Sequence, residues 1–390
     1  MARMTADVVV LGLGAMGAAS LRALARRGAR PLGIDQFAPP HDFGSSHGET
    51  RITRCATGES EALAPFALRS QQIWREIEAE TGARLFVDCG CLLISRPNEA
   101  SERHGRSEFL ERTIAAARRH DIAHELLDAD EIARRHPQFR AHADEQGYFE
   151  PGAGYVRPEA AIAAQLDLAR ARGAALRLGA RVTALRLPAG AGPVEIVTDE
   201  GVIEAGRVVV SAGAWAAGLL GPRFATLLRP TRQVLHWFPV LAHGEAWARG
   251  PTYIWMHGSG PTDFFHGFPG LDGEAKCASE TYEGCENPDS YDRGVAPDES
   301  RAMAGRHLAG RLDGVGDAAT RAKTCLYTQT PDSQFVIDAH PDCARVLIVS
   351  PCSGHGFKHS AAIGEAVAER VLDGASRLDL SSFALGRFGA

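Results

Sequence analysis

Asp7-Val8-Val9-Val10-Leu11 is a short β-branched run that ends on Gly12-Leu13-Gly14-Ala15-Met16-Gly17, and an alanine-rich segment with helical spacing follows to Arg27. Strand, tight turn and helix in that order constrain the fold more than any other feature of the chain. Gly28 caps the helix, and Pro31-Leu32-Gly33-Ile34-Asp35 reads as a second strand ending in an acid, completing a βαβ unit. Glycines 12, 14 and 17 permit a tight turn, close approach of backbone N–H groups to a pyrophosphate and close packing of helix on strand. Asp35, 18 residues beyond Gly17, can accept hydrogen bonds from a ribose 2′-hydroxyl and would repel a 2′-phosphate. The unit predicts a dinucleotide site built on Gly12, Gly14, Ala15, Met16, Gly17 and Asp35.

At 390 residues the chain exceeds one simple core, so two domains or one two-lobed body is expected. Hydrophobic residues at 45% and charged residues at 23% exclude a disordered or fibrous chain. A net charge of -6 argues against nucleic acid or an anionic membrane as partner. The start of the chain has no apolar leader and no run reaches the length of a membrane span, so a cytoplasmic protein is expected. Eight cysteines without metal-type CxxC spacing read as mostly free thiols, and no metal site is expected.

Further along, Ser70 to Thr81, Glu108 to His120 and Arg157 to Arg172 read as helices. Arg84 to Ser95 reads as a strand or hairpin, and strands are expected in 174–187, 194–198 and 202–210. Arg229 to Glu283, rich in aromatics, Gly and Pro, suggests an antiparallel sheet, and Val346 to Val349 a last parallel strand before a helix to about Leu372. The predicted class is α/β (α+β), with two interleaved lobes. Residues 1–85, 150–220 and 325–390 would form a Rossmann-like dinucleotide domain, and 86–149 and 221–324 an antiparallel-sheet substrate domain.

The glycine motif alone does not choose between FAD and NAD. Pro39-Pro40-His41 through Gly44-Ser45-Ser46-His47-Gly48-Glu49-Thr50-Arg51-Ile52-Thr53-Arg54 resembles a segment of the monomeric sarcosine oxidase and N-methyltryptophan oxidase family of FAD-dependent amine oxidases. Ser211-Ala212-Gly213-Ala214-Trp215 and Ser353-Gly354-His355-Gly356-Phe357-Lys358 are similar to segments with which that family lines its flavin. Lys323-Thr324-Cys325-Leu326-Tyr327-Thr328, followed by Phe335-Val336-Ile337-Asp338, resembles the segment carrying its covalent flavin cysteine. Leu380 to Phe388 resembles its C-terminal motif, so the resemblance spans nearly the whole chain.

The resemblance implies FAD joined through Cys325 and contacted by Ser45, Thr50, Arg51, Val182, Gly213, Trp215, Gly354, Gly356, Phe357 and Lys358. Amine oxidation moves two electrons and a hydrogen from carbon to flavin N5, and cationic groups near the ring favour the reduced cofactor. His47 and Arg51 are expected to supply that charge, and Lys276 to serve the reaction with O2. Arg54 and Lys358 match the family's carboxylate-binding pair, with Tyr327 and His266 as further substrate contacts.

The chain departs from the family where Phe265-His266 replaces two tyrosines, Glu280 a histidine, Leu63 a tyrosine and Cys55 a histidine. The spacing from Gly267 to Lys276 resembles the N-methyltryptophan branch, which hints at a substrate larger than sarcosine. The expected function is oxidation of an N-methyl or other secondary-amine amino acid by a monomeric enzyme with O2 as acceptor. A cyclic amino acid of the pipecolate or proline type is the alternative substrate. The other classes weighed are a flavin- or NAD-linked dehydrogenase and a non-catalytic flavoprotein.

Overall fold

Val8 and Val10 point to one face of the first strand and Val9 and Leu11 to the other, the alternation of an extended chain buried on both sides. In the computed structural model, which describes residues 4–97, 103–104, 106–285 and 287–389, this strand, Met4–Leu11, lies inside an eight-stranded sheet. Beside it on one side run Leu32–Asp35 and then Ala175–Leu178; on the other run Gly201–Val210 and then Cys343–Ser350, all parallel. In chain order that is third, second, first, fourth, fifth, the doubly wound arrangement whose ligand crevice lies beyond the carboxyl ends of the strands. Val182–Arg186, Val194–Thr198 and Val336–His340 extend the sheet as antiparallel strands.

The helices Ala15–Arg26, Ala64–Thr81, Pro158–Ala171 and Ser360–Asp373 cover the Val8 face, sharing a core with Leu21, Trp74, Ile162 and Val367. Gly364 lets the last helix cross the first closely: a Cβ there would lie 2.4 Å from the Ala19 carbonyl carbon. The second helix starts at Ala64, earlier than Ser70, because Pro65 pre-sets the first turn.

A second eight-stranded sheet runs in the order 321–329, 229–239, 274–278, 264–271, 252–256, 91–95, 146–150, 125–127. It is antiparallel except where Thr252–Met256 runs parallel to Cys91–Ser95. Phe86–Val87 and Cys91–Ser95 therefore do not form a hairpin: the first joins a small sheet with Arg51–Thr53 and Gly154–Val156, the second the large one. The line expected between residues 324 and 325 falls inside the strand Arg321–Gln329, which pairs along its length with Arg229–Pro239 and so stays with the second sheet.

Period-two alternation in the second sheet decides what faces the first. Tyr253, Trp255, Phe265, Ala275 and Cys277 pack into an outer core. Their neighbours Ile254, His266 and Lys276 point the other way and line the cavity between the sheets. No helix among the described residues is long and apolar enough to cross a membrane.

Candidate functional site

A cavity of about 860 Å³ runs from the first glycine turn to the second sheet, at the upper end of the roughly 300–1,000 Å³ of ordinary ligand pockets. Its dinucleotide end is made by Gly12, Gly14, Ala15 and Met16, where the first helix begins. Gly12 has φ +82° and faces the Ser211-Ala212 backbone so closely that a Cβ would lie 2.7 Å from the Ser211 oxygen. Gly17 lies behind the wall: its Cβ would fall 1.8 Å from the Gly12 oxygen, so this position sets how tightly the helix sits on the turn. Gly14, by contrast, would meet only Ser46 Oγ, at 3.7 Å, which leaves space for a ligand.

Asp35 accepts the Leu13 N–H at 2.7 Å on one carboxylate oxygen and the Phe37 N–H at 2.8 Å on the other, which fixes it at the cavity edge with lone pairs to spare. Burial raises its pKa, and the two backbone donors oppose that. Val182, Gly213 and Trp215 also line this end, with Trp215 Nε1 donating to Asp289 at 2.7 Å.

At mid-cavity, Arg51 donates to the Thr50 and Ser45 carbonyls at 3.0 and 2.8 Å, and Ser45 Oγ to the Leu326 carbonyl. Lys276 Nζ donates to the Gly48 and Thr50 carbonyls at 2.7 and 2.6 Å and lies 4.0 Å from the Phe268 ring centre. Burial, with Arg51 nearby, holds the Lys276 pKa well below that of a free lysine. Arg51, Ser45 and Lys276 line the cavity; His47, Thr50 and Cys325 stand behind its wall. Burial and then Arg51 push His47 down to about 3, so it is a neutral ring and the charge expected of it rests on Arg51. Among the described residues both His47 nitrogens and Thr50 Oγ1 are buried without a hydrogen-bond partner. Cys325 is a buried free thiol, pushed up to about 11 by burial and drawn back by Arg51, on the same strand as Tyr327.

The far end gathers Arg54, Lys358, Tyr327, His266, Gly354, Gly356 and Phe357. Arg54 Nη2 donates to Glu59 at 2.8 Å, and Lys358 Nζ donates to the same carboxylate at 3.2 Å and to the His355 carbonyl at 3.0 Å. All three are almost fully buried. Burial alone would raise Glu59, but Arg54 and then Lys358 hold it well below the carboxylate range. Burial would lower Arg54, and Glu59 together with Cys91, Glu150 and Tyr148 outweighs it. Lys358 is lowered by burial to about 8, with Glu59 resisting. His266 is lowered to about 3 by burial and then Arg103, so it presents a neutral imidazole.

The cavity thus gathers nearly every sequence-predicted residue. Sequence reasoning does not reach Glu59 or Arg103. Glu59 stands in Thr-Gly-Glu-Ser-Glu and Arg103 in Ser-Glu-Arg-His-Gly-Arg, polar stretches with the composition of exposed turns, and only the fold turns them inward. Among the described residues no group of His, Cys, Asp and Glu could hold a metal ion.

Residues 7–370 match the family profile described as FAD dependent oxidoreductase. Monomeric sarcosine oxidase of Streptomyces avermitilis is 37% identical over 398 residues, covering 99% of this chain and 98% of that protein. The Bacillus enzyme of the same name is 35% identical over 386 residues, covering 98% and 96%. N-methyl-L-tryptophan oxidase of Yersinia pestis is 33% identical over 388 residues, covering 98% and 99%. Among solved structures, the Tyr258Phe variant of NikD, an amino acid oxidase essential for nikkomycin biosynthesis, superposes with TM-score 0.84 at 25% identity over 98% of this chain and 97% of that one. L-proline dehydrogenase from P. horikoshii shares the fold at TM-score 0.84 and 20% identity, covering 100% and 99%. With a glycine cradle and a fixed acid at one cavity behind these matches, the chain belongs to the FAD dependent oxidoreductase family and is an enzyme of that class.

Proposed function

We propose that the protein oxidises the C–N bond of a secondary-amine amino acid, in the first place an N-methyl amino acid, with O2 as final acceptor. The observation that carries this reading is the convergence of Arg54 and Lys358 on one buried carboxylate at the far end of the cavity. Two cations share one anion there, so the site keeps a positive charge in a dry setting, suited to a substrate carboxylate. The names of the relatives, sarcosine and N-methyltryptophan oxidases, support the amine half of the reading.

FAD, when bound, supplies the two-electron acceptor. The chain's residues orient and polarise. Arg54 and Lys358 hold the carboxylate, so that the N–C bond points back toward mid-cavity. Arg51 and Lys276 place positive charge where electron density accumulates. Neutral His266 and Tyr327 fill the wall without adding charge. The substrate loses two electrons and two protons to become an imine, and O2 gains both to become H2O2. Water then splits the imine of an N-methyl substrate into formaldehyde and a primary amine.

We read the cofactor as covalently held through Cys325, which shares a strand with cavity-lining Tyr327 and whose thiolate Arg51 would favour. We further read the protein as a monomer of the cytoplasm, where its seven other cysteines would stay reduced. An oxygen-consumption screen of the purified yellow protein tests the central reading, using N-methyl amino acids, cyclic secondary amino acids and amines lacking a carboxylate. Peroxide and formaldehyde in equal amounts from an N-methyl amino acid are expected. Oxidation of only carboxylate-free amines would overturn it.

A further inference from the structure

The cavity wall near Glu280 carries an arginine to which the proposed chemistry assigns no task. Arg103 is 5% exposed and lines the cavity. Among the described residues its Nε and Nη1 are buried with no hydrogen-bond partner, and its Nη2 lies 3.6 Å from Glu280, beyond a good hydrogen bond. The guanidinium is clamped over the ring of Phe264 at 4.7 Å and that of Phe109 at 5.5 Å. Its backbone is pinned by an exchange of hydrogen bonds between Arg103 and Arg106, at 2.9 and 3.0 Å.

Glu280 is already engaged. His104 Nε2 meets its two oxygens at 3.2 and 2.9 Å, and both groups press on Gly354, where a Cβ would lie 2.9 Å from each. Burial would raise its carboxyl, but His104 and Arg103 hold it down at about 2, so it stays ionised. Glu280 therefore balances charge on this wall without using the arginine's remaining donors. A buried guanidinium with unmet N–H groups is unfavourable until an acceptor reaches it from the cavity.

Arg54 and Arg103 share a neighbour. Their guanidinium carbons lie 5.3 and 5.5 Å from the centre of the same Phe109 ring, and both side chains line the one cavity. Arg54, Lys358 and Arg103 stand against Glu59 and Glu280, leaving one positive charge. A second carboxylate would give Arg103 the acceptor that Glu280 does not supply and that a monocarboxylic amino acid lacks.

We propose that Arg103 binds a carboxylate on the substrate side chain, so that the preferred substrate is a secondary-amine amino acid with an acidic side chain. This rests on the amino-acid oxidase reading above for the reaction, though not for the binding.

The test compares N-methylglutamate and N-methylaspartate with N-methylglutamine and N-methylnorvaline on the flavin-loaded enzyme, by calorimetric binding and by kcat/KM. The acidic ligands should bind at least ~30-fold more tightly than N-methylnorvaline, the scale of one desolvated charge pair. Arg103→Met should bring that ratio close to one, and Arg103→Lys, which keeps the charge without the fork, should leave it intermediate. Flavin content checks that each variant is folded, and Arg103→Lys alone decides the matter if Arg103→Met is not. An acidic ligand bound no better than its amide or apolar counterpart, or a preference unchanged in the variants, would overturn the proposal. Arg103-dependent binding of N-methylglutamate without turnover of any secondary-amine amino acid would uphold the site and overturn the oxidase reading instead.

Discussion

Glu59 sets the charge of the carboxylate end, because both cations there pair with it before any substrate arrives. Glu59→Gln should destabilise the protein by about 3–5 kcal/mol, since it leaves buried cations without their anion. A small amine-free carboxylate should then raise the thermal unfolding midpoint of the variant more than that of the parent. Equal shifts would mean that the ligand does not reach Arg54 and Lys358. Lys358 adds a pH dependence. Its pKa is lowered to about 8. Only the ammonium form attracts a carboxylate, so affinity is full below that pH and falls above it, with Kd rising by up to about tenfold per pH unit. Titrating the same carboxylate from neutral to alkaline pH checks this, and Lys358→Arg should flatten the profile. In our reading Lys276 serves the other half of the reaction. Lys276→Met should slow reoxidation by O2 roughly 100-fold or more while sparing anaerobic reduction by substrate, as stopped-flow traces of the two half-reactions would show. Equal slowing of both would remove Lys276 from oxygen chemistry.

At the scale of elements, the first helix works because its start can sit against the turn before it. Gly17 leaves no room for a methyl group, so Gly17→Ala must push helix and turn apart. Overpacking of this kind costs about 1–3 kcal/mol. Part of that falls on the cradle of backbone N–H groups, so less FAD should be taken up and attached, visible as a lower ratio of flavin to protein absorbance. Full flavin occupancy in the variant would show that the turn tolerates a wider gap. The second sheet contributes through alternation. Lys276 stands opposite Trp237 and His266 opposite Ile254, so a slip of one residue in either strand would bury Cys277 or Phe265 in the cavity and turn the charged face outward.

The whole molecule closes the glycine-turn sheet over the second sheet, and Cys325 lies on a strand of the second while serving, in our reading, the ligand of the first. Acid precipitation should carry the yellow colour into the pellet, and Cys325→Ser should release it to the supernatant while keeping the fold. Colour in the supernatant from the parent protein would remove the covalent link.

Local sequence determined the parts whose physics is local. The β-branched run, the glycine turn and the acid at 35 specify one βαβ unit without help from the rest of the chain, and the alternating strands follow from period-two burial. Tertiary structure decided what depends on distant partners. Burial beside Arg51 made His47 neutral, pairing with Arg229–Pro239 assigned the Cys325 strand to the second sheet, and packing turned Glu59 and Arg103 inward to line the cavity. A charged side chain in a polar stretch looks the same in sequence whether it meets water or a cavity. The difference lies in desolvation, which arises only when the two sheets close around it.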